Sequence, residues 1–201
     1  MTMLSATGAT IETQLANHDI TFSGKLISPS CTVRLENSHL IFNHQQGDNT
    51  VLNRQLLMLN LSQCDIDSIG IMFKAEHWPD YPTRGIFRGA ISKKRNDWWY
   101  YTIALGSDPK NSYPNPHRPL SLTTDSPRLE SDSSSGDNIK EMYFNLASVN
   151  YWFNITTSLN TNNVLAIPFS VQINQVQSSE THQREQEDLL ESHFTLQISW
   201  R

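Results

Sequence analysis

The sequence predicts an all-β protein, and three observations carry that prediction. Its apolar residues come in short runs that alternate at period two, as half-buried strands do. Those runs are rich in Ile, Val, Phe, Tyr and Thr, the residues that pack best on a pleated surface. Between them lie stretches dense in Pro, Ser, Asn and Asp, and the one helix-compatible stretch, QREQEDLLES, is equally compatible with a charged loop.

Taken in order, strands are expected at residues 20–27, 31–35, 39–43, 55–63, 68–75, 85–92, 97–105, 140–146, 150–156, 164–174 and 193–200. In LLMLNLSQC, Leu57, Leu59 and Leu61 share a face on the approach to Cys64, and in SIGIMFKA the same spacing joins Ile69, Ile71 and Phe73. The two strands therefore contribute to one apolar layer. The closing HFTLQISWR alternates up to the penultimate residue, with Phe194, Leu196, Ile198 and Trp200 on one face. Chain ends usually fray, so a complete apolar stripe there predicts a terminus docked in a core. Two polar stretches, residues 107–138 and 177–191, are expected to be exposed, mobile loops.

The run ITFSGKLISPSCTV raises a particular question. Ile20, Phe22 and Leu26 share one face, and Gly24 takes the slot between Phe22 and Leu26. A glycine inside a strand weakens it and marks either a bulge or a close approach by another backbone.

A length of 201 residues suits one substantial domain. The net charge of −5 argues against a general nucleic-acid binder, since no basic excess is available to release counterions from phosphates. Lys93, Lys94 and Arg95 form the one basic cluster, expected to be a solvated turn. No stretch approaches the roughly 20 apolar residues of a membrane-spanning helix. The first nineteen residues carry neither a basic leader start nor a long apolar core. Cys31 and Cys64 lie 33 residues apart with no histidine at metal-ligand spacing, which leaves a long-loop disulfide or two buried thiols. Catalytic motifs are missing too: no G-x-S-x-G elbow, no H-E-x-x-H and no phosphate-cradling glycine loop. No enzymatic activity and no cofactor or metal are expected.

Four motifs in order, ITFSGKLISPSCTV, LLMLNLSQC, NVLAIPFSVQIN and the final HFTLQISWR, resemble those of the chaperone-usher fimbrial subunits, the pilins. The resemblance covers residues 20–75 and 160–201. It implies an incomplete immunoglobulin-like β-sandwich that lacks its final strand and carries an N-terminal donor-strand extension. Residues 1–28 would then be the extension and donor strand, and residues 29–201 the pilin domain. On this resemblance Ile20, Phe22, Gly24 and Leu26 form the donor strand, with Gly24 entering a shallow pocket of the acceptor. Phe194, Leu196, Ile198 and Trp200 would line the acceptor groove and serve as the surface recognised by the chaperone. Cys31 and Cys64 would form the family's disulfide, in keeping with an oxidising compartment.

The implied function is structural: a surface fimbria built by donor-strand exchange. The implied partners are other fimbrial subunits, a periplasmic chaperone, an outer-membrane usher and, further, a host glycan or protein receptor. The protein would be exported through the periplasm to the cell surface, the leader being absent from this chain. The long N-terminal extension points, within that family, to a minor subunit.

Two rival functions stand beside it, one at the same groove and donor contact and one in the aromatic middle segment. An assembly terminator would accept no further subunit. A carbohydrate-binding adhesin would use the aromatic segment NDWWYYTIALG, in which Trp98 and Tyr100 share one strand face and Trp99 and Tyr101 the other. Trp98 and Trp99 are the candidate glycan contacts.

Overall fold

The computed structural model describes residues 5–6, 17–26, 31–43, 54–64, 66–106, 120–131, 142–155, 164–176 and 189–200, all in strands, turns and irregular segments with no helix among them. The protein is all-β. The chain begins with β1 (Ser5–Ala6), β2 (Asn17–Leu26), β3 (Thr32–Glu36), β4 (His39–Asn43) and β5 (Arg54–Ser62). It continues through β6 (Ser68–Ala75), β7 (His77–Trp78), β8 (Tyr81–Gly89) and β9 (Arg95–Leu105). The short strands β10 (Ser121–Leu122), β11 (Glu130–Ser131) and β12 (Met142–Tyr143) follow, and then β13 (Ala147–Asn154), β14 (Val164–Gln175) and β15 (Leu190–Trp200).

Hydrogen bonding runs in the order β10-β13-β6-β15-β8-β9-β14-β5-β3, antiparallel at every step. That path closes over itself. Phe73 on β6 and Phe169 on β14 lie four strands apart along it, a flat separation of about 19 Å at the usual interstrand spacing. Their rings nevertheless meet edge to face at 5.2 Å. Two layers therefore face each other: β10, β13, β6 and β15 on one side, and β8, β9, β14, β5 and β3 on the other. The layers join where the edge of β15 changes partner, from β6 at Phe194 to β8 at Leu190 and Glu191. A second junction is the link between β3, which pairs with β5, and β4, which lies in the other layer. Asn37, with φ at 58°, makes this crossing in the left-handed region that asparagine tolerates better than most residues.

The core is aromatic at its centre. Phe73 contacts Phe144 at 4.9 Å and Phe194 at 5.7 Å as well as Phe169. Phe144 also meets Tyr151 at 5.2 Å, and Phe87 meets Tyr101 at 5.4 Å. All of these side chains are buried, and each edge-to-face pair adds roughly 0.5–1.5 kcal/mol beyond the area it removes from water. Burial also raises the Tyr101 and Tyr151 hydroxyls above the ordinary tyrosine value of 10.0; the Ser192 hydroxyl at Tyr101 and the Asn145 backbone at Tyr151 offset only part of this. In the unfolded chain both phenols ionise near that value, whereas in the folded chain they ionise only at higher pH. The contribution of these two groups to stability is thus fully present below about pH 10 and falls as pH rises further. Urea-denaturation midpoints should be level across neutral pH and decline from about pH 10, with a shallower decline in Tyr101→Phe.

Several expected elements need correction. The strand placed at 85–92 runs instead over Tyr81–Gly89, and residues 90–92 form the turn into β9, with Lys93 N donating to Gly89 O at 2.8 Å. Of the strand placed at 140–146, residues 140–141 lie outside the described residues, and among 142–146 only Met142–Tyr143 is strand. Beyond it, Phe144 and Leu146 drop into the core while their amides bond Ile103 O and Pro82 O, both at 2.8 Å. The stretch 107–138, expected as an exposed loop, is structured at residues 120–131. There β10 pairs with β13 and β11 with β12, Leu129 is buried, and Glu130 accepts a 2.6 Å bond from Asn145 Nδ2. The rest of that stretch lies outside the described residues. The last strand begins at Leu190, three positions earlier than expected. The end of the helix-compatible stretch is therefore strand, and its residues 183–188 lie outside the described residues.

Candidate functional site

The last strand is the centre of the candidate site. Along β15, Leu190, Ser192, Phe194, Leu196 and Ile198 are buried, while Trp200 is half-buried against the same core. One edge of β15 is taken by β6 from Phe194↔Ala75 to Trp200↔Ile69, and then by β8. Lys93 Nζ meets Glu191 Oε1 at 2.5 Å, and Ser192 Oγ donates to Ile86 O at 2.7 Å, which pins the start of the strand.

The other edge of β15 is taken by β2, which runs parallel to it. The register places His18 beside Leu190, Ile20 beside Ser192, Phe22 beside Phe194, Gly24 beside Leu196 and Leu26 beside Ile198. Positions 20, 22, 24 and 26 are therefore level with Ser192, Phe194, Leu196 and Ile198, the buried set of β15. The four expected donor positions and three of the four expected groove residues are thus brought together in register within one chain. Trp200, the fourth groove residue, lies past the end of β2 in this pairing.

The opposite wall is not readable from the sequence. The outer edge of β2 pairs with β4 from Asn17↔Asn43 to Thr21↔His39, and with β1 at Gly24 and Lys25. Leu40 and Phe42 of β4 are both buried, and Gln55 Nε2 donates to Ile41 O behind them. The alternation in HLIFN revealed a strand, but periodicity carries no information about its neighbour. Without β2, both β15 and β4 would present a row of unpaired backbone N–H and C=O groups over an apolar floor.

Cys31 and Cys64 form a disulfide in which both residues are buried. The bond ties the residue before β3 to the end of the β5 arm, where Thr32 pairs with Ser62. Closing a loop of this length is worth about 3–4 kcal/mol in the chain-entropy account. The bond anchors the chain at Cys31, five residues after the end of β2.

The aromatic segment divides between two faces. Tyr101 is fully buried, and Trp99 packs against the core from the same face. Trp98 is 43% exposed on the opposite face, where Tyr100 is covered by its neighbours. The Arg84 guanidinium lies 4.1 Å from the Tyr81 ring centroid and 4.6 Å from that of Tyr100. Arg95 lies 4.3 Å from the Trp78 centroid, and Trp78 meets Tyr100 edge-on at 6.4 Å. Nearby, Arg88 is paired with Glu76, whose carboxyl is held below the usual carboxylate range chiefly by that hydrogen bond.

Comparison with protein-family models and with curated proteins finds no match to this chain.

Proposed function

We propose that the protein is a structural subunit of a bacterial surface fimbria, assembled by donor-strand exchange on an incomplete immunoglobulin-like domain, and that it is here self-complemented. One observation carries the proposal: an N-terminal strand beside the C-terminal strand, with Gly24 against Leu196 in the middle of the register. A strand at one end of the chain fills the sheet position beside the other end, and nothing in the β6–β14 framework depends on which copy supplies it. The crossing at Asn37, the disulfide and the buried C-terminal strand agree with the same fold. Exported to the cell surface through a periplasmic chaperone and an outer-membrane usher, such a subunit would shield the β15 edge until a neighbour's strand replaced the shield.

The apolar donor positions explain why exchange would be favourable. Burying Ile20, Phe22 and Leu26 contributes roughly 1.5–3 kcal/mol each, besides the ladder hydrogen bonds. Gly24 leaves its slot at the Leu196 level without a side chain. A labelled peptide of residues 17–28, incubated with the purified chain, is expected to enter the β15 edge and displace β2. The chain alone should concatenate slowly into a ladder of oligomers. A Gly24→Leu peptide, which brings a side chain to the Leu196 level, is expected to exchange at least tenfold more slowly. Peptide that never enters, even after partial unfolding and refolding, would exclude the exchange mechanism.

A further inference from the structure

The outward face of β7, β8 and β9 has a composition that neither strand pairing nor the core explains. Among the described residues four large apolar side chains are exposed, and two of them, Tyr81 at 45% and Trp98 at 43%, belong to this face. Beneath them Arg84, itself buried, lies over the Tyr81 and Tyr100 rings, and the stack continues through Trp78 to Arg95. Beside the stack runs a row of polar side chains. Arg54 Nη2 donates to Gln172 Oε1 at 2.7 Å, Gln172 Nε2 to Asn174 Oδ1 at 3.1 Å, and Asn174 Nδ2 to Thr102 Oγ1 at 3.2 Å. The two rows are adjacent, because Asn174 is in register with Tyr100 and Gln172 with Thr102.

We propose that this face binds a neutral pyranoside, with the exposed rings of Tyr81 and Trp98 stacking on the C–H faces of sugar rings and the Gln172–Asn174 row hydrogen-bonding their hydroxyls. The chemistry of the face selects that class. A ligand must offer apolar C–H surface and hydroxyls together, and a sugar does both. A quaternary ammonium or other cation is disfavoured, since two guanidinium groups already lie on the aromatic faces. A polyanion is disfavoured because Arg95 faces Asp97 at 2.9 Å, Arg88 is paired with Glu76, and the whole chain carries −5. An amphipathic helix would need an aliphatic groove, which this polar and aromatic face does not provide. The cation–π stack supplies preorganisation: Tyr81, Tyr100 and Trp78 are held before any ligand arrives, which lowers the ordering cost of binding. Of the two tryptophans that the sequence singles out, only Trp98 belongs to this face; Trp99 is committed to the core side.

The test is a titration of the monomeric full chain with lactose and, separately, with cellobiose, into the tens of millimolar, following the tryptophan indole N–H signals by NMR. At least one disaccharide is expected to shift the Trp98 signal saturably. Trp98→Ala and Tyr81→Ala should each weaken that binding at least about tenfold, whereas Tyr81→Phe, which keeps the ring, should retain it. Both side chains are well exposed, so unchanged urea midpoints would show that the variants fold. No saturable shift with either sugar, or binding that survives Trp98→Ala, would overturn the proposal. The measurement uses monomer and requires no strand exchange, so it stands or falls independently of the subunit assignment.

Discussion

A chain that begins at Ser28 is expected to lose most of its stability and, under the proposed exchange mechanism, to form no oligomer ladder. It lacks β2, and with it the nine-position pairing that covers β15 from Leu190 to Ile198 and the pairing that covers β4. Fully burying side chains such as Ile20, Phe22 and Leu26 is worth roughly 1.5–3 kcal/mol each, an upper figure because unfolded chains already bury part of that surface. Since whole domains are stable by only about 5–15 kcal/mol, the truncated chain should unfold at far lower urea or remain partly unfolded. Adding a peptide of residues 17–27 should restore the midpoint with a concentration dependence that follows its occupancy. An unchanged midpoint in the truncated chain would show that β2 contributes little to the fold. Continued formation of oligomers by that chain would remove the donor role altogether.

Among the described glycines of the strands, Gly85→Ala is expected to be the most damaging substitution. A Cβ built at Gly85 would stand 2.1 Å from Cζ of Tyr101, 2.2 Å from Cε1 and 2.5 Å from Cε2. The glycine sits directly across from Tyr101 in the β8–β9 register, so the ring covers its backbone. That ring cannot easily retreat, because it is fully buried and packs against Phe87 at 5.4 Å and Phe194 at 6.1 Å. A cost of about 3 kcal/mol is expected, at the upper end of the range for overpacked cores. Pairing Gly85→Ala with Tyr101→Leu should give a coupling energy of about 1 kcal/mol or more toward recovery in a double-mutant cycle. Strictly additive losses would mean that the ring is not what excludes the methyl group.

Much of this architecture was legible in the residues, and its failures have physical causes. His39–Asn43 and Ser68–Ala75 occur with the bounds that alternation assigns them: Leu40 and Phe42 mark the first, and the apolar alternation of Ile69, Ile71 and Phe73 marks the second although its burial is continuous from Ser68 to Ile71. β8 was displaced because its burial is continuous from Thr83 to Phe87, and a strand covered on both faces loses its period-two signature. Residues 120–131 were hidden by their surroundings: Pro, Ser and Asp dominate the stretch 107–138 that contains them, and the apolar anchors Leu120, Leu122 and Leu129 are too sparse to set a period. At the candidate site, the donor stripe and the terminal stripe could both be read from sequence. Their juxtaposition within one chain and their common direction could not, because side-chain periodicity is the same for parallel and antiparallel neighbours and for self and foreign strands. The Arg84 and Tyr81 contribution to the aromatic face was likewise invisible, since it depends on how the β7–β8 hairpin folds onto β9.

The disulfide has a geometric consequence for assembly. Cys31 is anchored to the domain, and Leu26, the last residue of β2, is only five residues upstream, a distance the chain can span to at most about 18 Å. A subunit that hands its strand to a neighbour therefore also sets the distance to that neighbour, because the tether from the anchor is too short for the two bodies to drift apart. With the parallel register kept, the end of the neighbour's β15 nearest Ile198 would have to lie within that reach of the donor's Cys31. The peptide between Leu26 and Cys31 would then act as a molecular ruler, setting the axial repeat of any fibre that this protein builds.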